Sequence, residues 1–298
     1  MKKFLLGAHM PTTGGFYKSA LFGQEVGCSA IQIFTKSNRQ WQAKNITAED
    51  ADLFKSALHE SKIQYTVAHA SYLINLASPE QATQTKSIQA LEIELERCHQ
   101  LGIKDLVLHP GSRKDAPISQ ALKQVAQNIN LALTNSPKNT RILIETMAGQ
   151  GSSVGSSFEQ LAEILTHINT SSRVGICLDT CHIFAAGYDF TTIDNYHLMW
   201  KAFNETIGFN KLGLIHLNDS KKELGCKVDR HEGIGHGKIG KQAFELIMND
   251  LKLIGVPKIL ETPKEDLEMD KKNLKYLVNL LNKDHLKWLV ETNLEMYL

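Results

Sequence analysis

The sequence lacks the features of several protein classes. Its 298 residues carry a formal net charge of +1, so no overall basic field indicates a nucleic-acid-binding protein, and a polyanion would need a local patch. The five cysteines are odd in number and form no Cys-x-x-Cys pair, which argues against a disulfide framework and favours a reducing cytosol. No apolar run is long enough to cross a bilayer, and His9 interrupts the short apolar start. We therefore expect a soluble, cytoplasmic protein with no membrane partner.

Eight strand-like apolar runs alternate with helical patterns along the chain. They read FLLGAH, AIQIFT, QYTVAH, DLVLHP, RILIET, VGICLDT, LGLIHLN and PKILET. Continuous apolar strands separated by helices favour a parallel sheet, and eight such units predict an α/β fold, the closed (β/α)8 or TIM barrel. No Pro- or Ser-rich linker interrupts the pattern, so we predict a single domain over residues 1–298. From Lys271 the tail shows a long amphipathic helical pattern, which we interpret as packing on the outside of the barrel, with a partner interface as the alternative.

The last residues of these runs share an unusual chemistry. Seven of the eight can bind a metal ion, and the set is His9, Thr35, His69, His109, Glu145, Asp179, His216 and Glu261. One such residue would be structural in most proteins, but the strand ends of a barrel converge on the face that carries active sites. Imidazoles and carboxylates without thiolates favour zinc, manganese or iron. The strand ends therefore predict a metal site.

Further ligand candidates lie in the loops. His182 follows the sixth run, and Asp229 and His231 alternate in VDRHEG, so their side chains share one face of an extended segment. The candidates are then His69, His109, Glu145, Asp179, His182, His216, Asp229, His231 and Glu261. Nine ligands are too many for one tetrahedral ion, so the sequence predicts two or three ions with at least one bridging carboxylate. Cys177 and Cys181 flank Asp179, and we interpret them as small packing residues.

Two glycine-rich stretches have other readings. GHGKIG (235–240) matches the letters of a dinucleotide-binding motif but lacks the strand before it, so we expect a tight turn that opens a helix and no nucleotide cofactor. AGQGSSVGSS, after Glu145, fits either turn chemistry or the close approach of backbone to a ligand, and both remain open.

Basic and aromatic residues follow several of the strands. The basic ones would rim the metal face, and they are Lys36, Arg39, Arg113, Lys114, Lys221, Lys222, Lys227 and Arg230. A run of charge is often only a solvated surface, but a basic rim around a cation site fits a phosphate backbone better. Trp41, Tyr72 and Leu73 lie in the same loops and could stack on bases or wedge between them.

Together these residues resemble the endonuclease IV family of AP (apurinic/apyrimidinic) endonucleases. The matching stretches are HASYLINL (69–76), HPGS (109–112), ETMAGQGS (145–152), GICLDTCHIFAAGYD (175–189), HLNDSK (216–221), VDRHEGIGHGKIG (228–240) and ILET (259–262). They span nearly the whole chain, and the tail beyond about residue 285 lies outside the pattern. The resemblance implies a TIM barrel with three zinc ions. One would be held by His69, His109 and Glu145, a second by Glu145, Asp179, His216 and Glu261, and the third by His182, Asp229 and His231.

The resemblance also implies a reaction. Such an enzyme hydrolyses double-stranded DNA at the phosphodiester 5′ to an abasic site, leaves a 3′ hydroxyl for base excision repair, and also trims blocked 3′ ends. Two ions would share a hydroxide and the third would neutralise the leaving 3′ oxygen, with Glu145 or Glu261 orienting the nucleophile. Arg39, Tyr72 and Leu73 are the wedge candidates, and Lys36 and Arg230 are expected on the DNA backbone. The family suggests a monomer.

The same residues have two rival functional interpretations. A xylose-isomerase-like sugar isomerase or epimerase also uses a Glu, Asp, His and Glu set at strand ends, but it needs neither the His69–His109 pair nor the set around His182. A non-catalytic DNA- or metal-binding relative should have lost ligands, and none is lost here. The number of zinc ions per chain separates these cases: about three for the endonuclease, and one, two or none for the rivals.

Overall fold

Eight parallel strands close into a barrel in the computed structural model, which describes residues 4–290 and 292–298. The barrel strands are Leu6–His9 (β1), Ala30–Phe34 (β2), Tyr65–His69 (β3), Asp105–Leu108 (β4), Arg141–Glu145 (β5), Val174–Asp179 (β6), Leu212–His216 (β7) and Lys258–Leu260 (β10). A short antiparallel pair, Asp219–Ser220 (β8) and His231–Glu232 (β9), lies in the loop after β7. Around the barrel the order is β1-β10-β7-β6-β5-β4-β3-β2, so the predicted TIM barrel is confirmed.

Helices connect the strands and cover the outside of the barrel. They are Phe16–Glu25 (α1), Ala48–Glu60 (α2), Gln81–Leu101 (α3), Ile118–Thr134 (α4), Phe158–Thr166 (α5), Thr180–Ala186 (α6), Ile193–Thr206 (α7), Lys241–Asn249 (α8) and Leu267–Val278 (α9). Short 3-10 turns occupy Ser171–Arg173, Phe209–Lys211, Lys283–Leu289 and Asn293–Tyr297. Among the described residues, no helix has both the length and the apolar character that a bilayer crossing requires.

Local signals in the sequence set several helix ends. The hydroxyl of Ser157 accepts the backbone N–H of Gln160 and caps α5. Thr47 and Asp50 form a reciprocal capping box at the start of α2. Gly102 ends α3 in the left-handed conformation with φ 74°, which a residue without Cβ adopts at little cost.

The interior of the barrel is filled by an apolar layer separate from the core beneath the helices. One residue from each of seven strands contributes: Ala30, Val67, Val107, Leu143, Cys177, Leu214 and Ile259. All seven are buried, and Cys177 is therefore a packing residue of this layer. This layer closes the barrel below the ends of the strands.

The C-terminal tail differs from its sequence pattern. We expected one long helix from Lys271, but α9 ends at Val278 and two 3-10 turns follow, so this prediction is wrong. The cause is Asn249 on the neighbouring α8: its amide donates to the carbonyl of Leu280 and its oxygen accepts the N–H of Asn282, each at 2.8 Å. These tertiary hydrogen bonds replace the bonds that would have continued the helix.

The end of the tail packs against the barrel. The Tyr297 hydroxyl donates to the carbonyl of Val26, and the Asn293 amide donates to the carbonyls of Cys28 and Ser61. The expectation that the tail lies on the outside of the barrel therefore agrees with these contacts.

Candidate metal centre

The periodicity of the strands brings the ligand candidates to one place. Successive side chains of a strand alternate between its two faces, so a residue two positions after an inward one also points inward. In β3, β5, β6 and β7 the barrel-filling residue is followed two positions later by His69, Glu145, Asp179 and His216. The same step from Val107 and Ile259 reaches His109 and Glu261 just beyond β4 and β10. The mouth of the barrel is thus lined by six side chains with metal-binding chemistry.

Glu145 lies between two groups of histidines. Its Oε2 atom is 2.9 Å from Nε2 of His109 and 3.2 Å from Nε2 of His69. Its Oε1 atom faces the other way and is 2.9 Å from Nδ1 of His216. The carboxylate is fully buried, so each oxygen needs a partner of positive charge or a donor. This is the geometry of a bridging carboxylate.

His216 is the centre of the second group. Its Nδ1 atom lies 3.2 Å from Oε2 of Glu261 and 3.9 Å from Oδ2 of Asp179. The ligand atoms of Glu145, Asp179, His216 and Glu261 all lie within 4.8 Å of one another, which is close enough for a single ion to touch them all.

The third group joins a helix to a loop. His182 is in the first turn of α6, Asp229 lies just before β9, and His231 is the first residue of β9. Nε2 of His182 lies 3.2 Å from Oδ2 of Asp229, and Nε2 of His231 lies 3.4 Å from its Oδ1. Asp179 connects this group to the second, because its Oδ2 is 3.7 Å from Nε2 of His231.

Backbone carbonyls orient three of the rings. Nδ1 of His69 bonds the carbonyl of Ala70 at 2.8 Å, and Nδ1 of His182 bonds the carbonyl of Thr146 at 2.8 Å. Nδ1 of His231 bonds the carbonyl of Glu261 at 3.1 Å. Because a carbonyl only accepts, each Nδ1 carries a proton, and each Nε2 is the nitrogen left to face the cluster and a bound cation.

Two buried histidine nitrogens of the cluster lack a hydrogen-bond partner in the described structure, which indicates a site for metal ions. Within the described part of the chain, Nε2 of His182 and Nε2 of His231 are buried without a hydrogen-bond partner. A buried polar atom left in this state costs about 1–3 kcal/mol, so a native structure needs a partner there. Both atoms face the single carboxylate of Asp229, and a cation bound between the two rings and this carboxylate would satisfy both nitrogens.

The electrostatics of the cluster keep its carboxylates charged. Burial alone would raise the pKa of Glu261, but His216 and other neighbouring histidines hold it at about 2. Burial likewise opposes ionisation of Asp229, and His182 and His231 bring its pKa to about 2. Glu145 behaves in the same way, since His216 and His109 hold its pKa well below the usual range. Ionised carboxylates are what divalent cations require.

Three polar residues of the centre were missed by the sequence analysis. The Asn218 amide donates to Oδ2 of Asp179 at 2.7 Å, and its oxygen accepts the N–H of Glu261 at 2.7 Å. Asp219 accepts backbone N–H groups from Gly235, Gly237 and Ile239 and so anchors the loop that follows β9. Gln32 points into the mouth from β2. A polar Gln within the apolar run AIQIF was the available signal for the last of these.

The glycine-rich GHGKIG segment is a turn, as expected. Its Gly237 has to be glycine, because an added Cβ would lie 2.4 Å from Oδ1 of Asp219. The helix α8 begins directly after it at Lys241.

Two loops at the mouth carry the exposed wedge candidates. Tyr72 is 53% exposed, and its ring packs edge-on to His69 at 5.4 Å and lies 5.5 Å from the ring of His109. Leu73 beside it is half-buried, and Arg39 and Trp41 are exposed on the neighbouring loop. Arg230 is exposed beside the third group. Their positions are consistent with contact to a long ligand that covers the mouth.

Lys36 is buried and does not lie on the exposed basic rim that the sequence predicts. Its side chain is only 1% exposed, donates to the carbonyl of Gln40 at 2.6 Å and lies 3.8 Å from Oε1 of Glu94. The assignment of Lys36 to a DNA-binding rim is therefore wrong, because its ammonium is already used inside the protein. Glu94 on α3 also accepts the N–H of Ser71 at 3.2 Å, so one buried carboxylate ties the loop of Arg39 to the loop of Tyr72.

The fold and the buried cluster place the chain in a known class. The family described as xylose isomerase-like TIM barrel matches residues 22–289. A D-tagatose 3-epimerase-like protein of known structure has the same fold, with a TM-score of 0.70 at 20% identity, covering 93% of this chain and 99% of its own.

The comparisons narrow this class further. Two proteins named "Probable endonuclease 4" are similar over nearly the full length: one from Geotalea daltonii is 43% identical over 94% of this chain and 99% of its own, and one from Chloroflexus aurantiacus is 45% identical over 92% and 97%. The crystal structure of endonuclease IV from Thermus thermophilus has a TM-score of 0.83 at 31% identity, covering 93% of this chain and 98% of its own. The chain belongs to the endonuclease IV family.

Proposed function

We propose that this protein is an AP endonuclease of base excision repair that hydrolyses the phosphodiester 5′ to an abasic site in double-stranded DNA and leaves a 3′ hydroxyl. One observation carries the proposal: among the described residues, the mouth of the barrel holds three connected groups made of imidazoles and carboxylates alone, not the single group that a sugar isomerase needs. A sugar isomerase does not need the group that contains His69 and His109 or the group that contains His182 and His231. Removal of blocked 3′ ends by the same centre is part of the proposal.

Three zinc ions are the proposed cofactors. His69, His109 and Glu145 would hold the first; Glu145, Asp179, His216 and Glu261 the second; and His182, Asp229 and His231 the third. When bound, the ions lower the pKa of water to give a nucleophile near neutral pH and neutralise charge on an in-line leaving oxygen. Nitrogen and oxygen ligands without a thiolate suit zinc or manganese, and the four carboxylates offset part of the charge of three divalent ions.

The two catalytic glutamates have different tasks. Glu145 is completely buried and its oxygens face separate histidine groups, so it links two ligand groups and does not reach the substrate. Glu261 has a side chain 14% exposed at the mouth, with Oε2 turned to His216. This partial exposure supports a role in which the carboxylate of Glu261 accepts a hydrogen bond from the attacking water and orients it toward phosphorus.

Recognition of the substrate would fall to the loops at the mouth. Tyr72 and Leu73 would enter the gap that a missing base leaves, where unstacking costs least, and the exposure of Tyr72 supports this role. Arg39 and Arg230 are exposed in the loops after β2 and β7 and would contact phosphates of the backbone. A lesion without a base offers no base edge, so this arrangement needs no hydrogen-bond code.

The proposal also covers the domain organisation, the oligomeric state and the cellular compartment of the enzyme. We expect one domain over residues 1–298 that acts as a monomer, supported by the tail contacts of Asn293 and Tyr297 with the barrel. We expect the cytoplasm, supported by five free cysteines, four of which are buried.

The test uses duplex DNA that contains one tetrahydrofuran abasic analogue, incubated with the zinc-loaded protein. The analogue cannot undergo β-elimination, so only hydrolysis gives a product. We expect a nick on the 5′ side with a 3′ hydroxyl that a polymerase extends. An intact duplex, with zinc bound and the protein folded, would refute the proposal, and interconversion of a ketose by the same preparation would favour the isomerase.

A further inference from the structure

Gln32 occupies a central place at the mouth of the barrel. It lies on β2 two positions after the barrel-filling Ala30, and it is completely buried. Its side-chain amide contacts three groups: Oε1 of Glu261 at 2.5 Å, Nε2 of His216 at 2.8 Å and Nδ1 of His9 at 3.0 Å. The other strands with a residue in this register, β3 to β7 and β10, supply a ligand candidate there, whereas β2 supplies this amide.

The partners of Gln32 fix which way its amide points. The carboxylate of Glu261 has no proton to donate, so the amide nitrogen has to face it. The amide oxygen then faces Nε2 of His216, and because an amide oxygen only accepts, that nitrogen must carry a proton. This conclusion follows from the chemistry of the three groups and does not depend on telling the nitrogen and oxygen of the amide apart.

The proton on Nε2 determines what His216 offers to the cluster. Its other nitrogen, Nδ1, is then the atom that can offer a lone pair to a bound cation, and it lies 2.9 Å from Oε1 of Glu145 and 3.2 Å from Oε2 of Glu261. His69, His182 and His231 are oriented the opposite way, by carbonyls that bond Nδ1. His216 therefore needs an acceptor on its Nε2 side, and Gln32 is the group that supplies it.

We propose that Gln32 is a positioning residue of the metal centre, which holds His216 in the Nε2-protonated form and Glu261 in place so that both face one ion. This inference rests on the proposed function only in taking the cluster to bind metal. The second proton of the amide nitrogen goes to Nδ1 of His9, so the ring of His9 carries its own proton on Nε2. One side chain thus sets the tautomers of two histidines on different strands.

Substitution separates positioning from simple packing. Gln32→Met fills nearly the same volume but has neither donor nor acceptor, and Gln32→Glu keeps the shape but loses the donor that faces Glu261. Gln84→Met is the matched control, because Gln84 is also buried and donates to a carbonyl, that of Ser78, away from the mouth. Zinc is the probe, with affinity measured by competition with a chromogenic chelator and ions per chain by mass spectrometry.

We expect Gln32→Met and Gln32→Glu each to weaken the affinity for one zinc ion by about 10- to 100-fold, the usual effect of removing a group that orients a ligand. The control should bind zinc as the unaltered protein does. A Gln32→Met protein that binds all its zinc with unaltered affinity would show a packing role and overturn the proposal.

Nuclear magnetic resonance tests the same point without a variant. In the zinc-loaded protein with ¹⁵N-labelled histidine, we expect His216 to show a protonated Nε2 and an Nδ1 that binds the metal without a proton. The reverse pattern would overturn the proposal. If the zinc-loaded protein leaves the abasic duplex intact, the proposed function fails, while weaker zinc binding by both Gln32 variants would still support the role of Gln32.

Discussion

Oε1 of Glu145 lies 2.9 Å from Nδ1 of His216, while Oε2 of the same carboxylate lies 2.9 Å from Nε2 of His109. A single buried side chain is thus shared by two ligand groups that originate on different strands. The two groups should not act independently, because neither is complete without this carboxylate.

Loss of Glu145 should affect two ions at once. We expect Glu145→Gln to lower the zinc content by about two ions per chain, because the amide carries no charge and presents only one oxygen. His231→Ala, which removes a ligand of the third group alone, should lower it by about one. Mass spectrometry of the native protein measures both. Equal losses in the two variants would contradict the bridging role.

Replacement of Glu261 should separate fold from catalysis. We expect Glu261→Gln to keep the fold and to reduce cleavage of the abasic duplex at least about 100-fold, since an uncharged amide is a weaker ligand and accepts a weaker hydrogen bond from the attacking water. Glu265→Gln is the matched control, because Glu265 is exposed outside the cluster. Circular dichroism and single-turnover cleavage give the two readouts. Near-normal cleavage by Glu261→Gln would remove Glu261 from the mechanism.

Glu94 should act on recognition through the loops that it joins. Its carboxylate is buried between Lys36 and the N–H of Ser71, with Arg97 nearby bonding the carbonyl of Thr35. Glu94→Gln leaves buried cations without their counter-charge, which costs about 3–5 kcal/mol when one member of such a pair is removed.

We therefore expect Glu94→Gln to lower the melting temperature and to raise KM for abasic DNA more than it lowers kcat. The exposed Glu96 on the same helix provides the control Glu96→Gln. An unchanged KM together with the expected loss of stability would limit Glu94 to a structural role.

Lys258 should make stability depend on pH. It is completely buried in β10, and its ammonium donates to the carbonyls of Leu253 at 2.7 Å and Val256 at 3.0 Å. Burial lowers its pKa from 10.5 to about 7. Between these two pH values the unfolded chain binds the proton and the folded chain does not, so the free energy of unfolding rises as the pH rises.

The measurement is the difference in unfolding free energy between the unaltered protein and Lys258→Met. We expect the unfolding free energy of the unaltered protein to rise relative to that of Lys258→Met as the pH goes from about 7 to about 10.5, by at most about 1.4 kcal/mol per pH unit. The subtraction removes the contributions of other titrating groups. A difference that does not change with pH would mean that Lys258 keeps its ordinary pKa in the folded protein.

The sequence by itself determined the barrel and the position of its cluster. Eight buried runs alternating with helices leave few architectures, and the period of two residues along a strand places His69, Glu145, Asp179 and His216 on the inward face. Capping residues such as Ser157 and Gly102 act on their own neighbours, so their effects could also be predicted.

Only the tertiary structure decided the polar contacts between distant segments. Lys36 looks like a surface lysine in the sequence, and Glu94, far along the chain on α3, turns it inward. Asn249 ends the tail helix through its hydrogen bonds. Gln32 on β2 contacts His9, Glu261 and His216, which lie at the ends of three other strands. Periodicity and propensity report on neighbours along the chain, whereas the partner of a buried polar group depends on which strands and loops the closed barrel brings together.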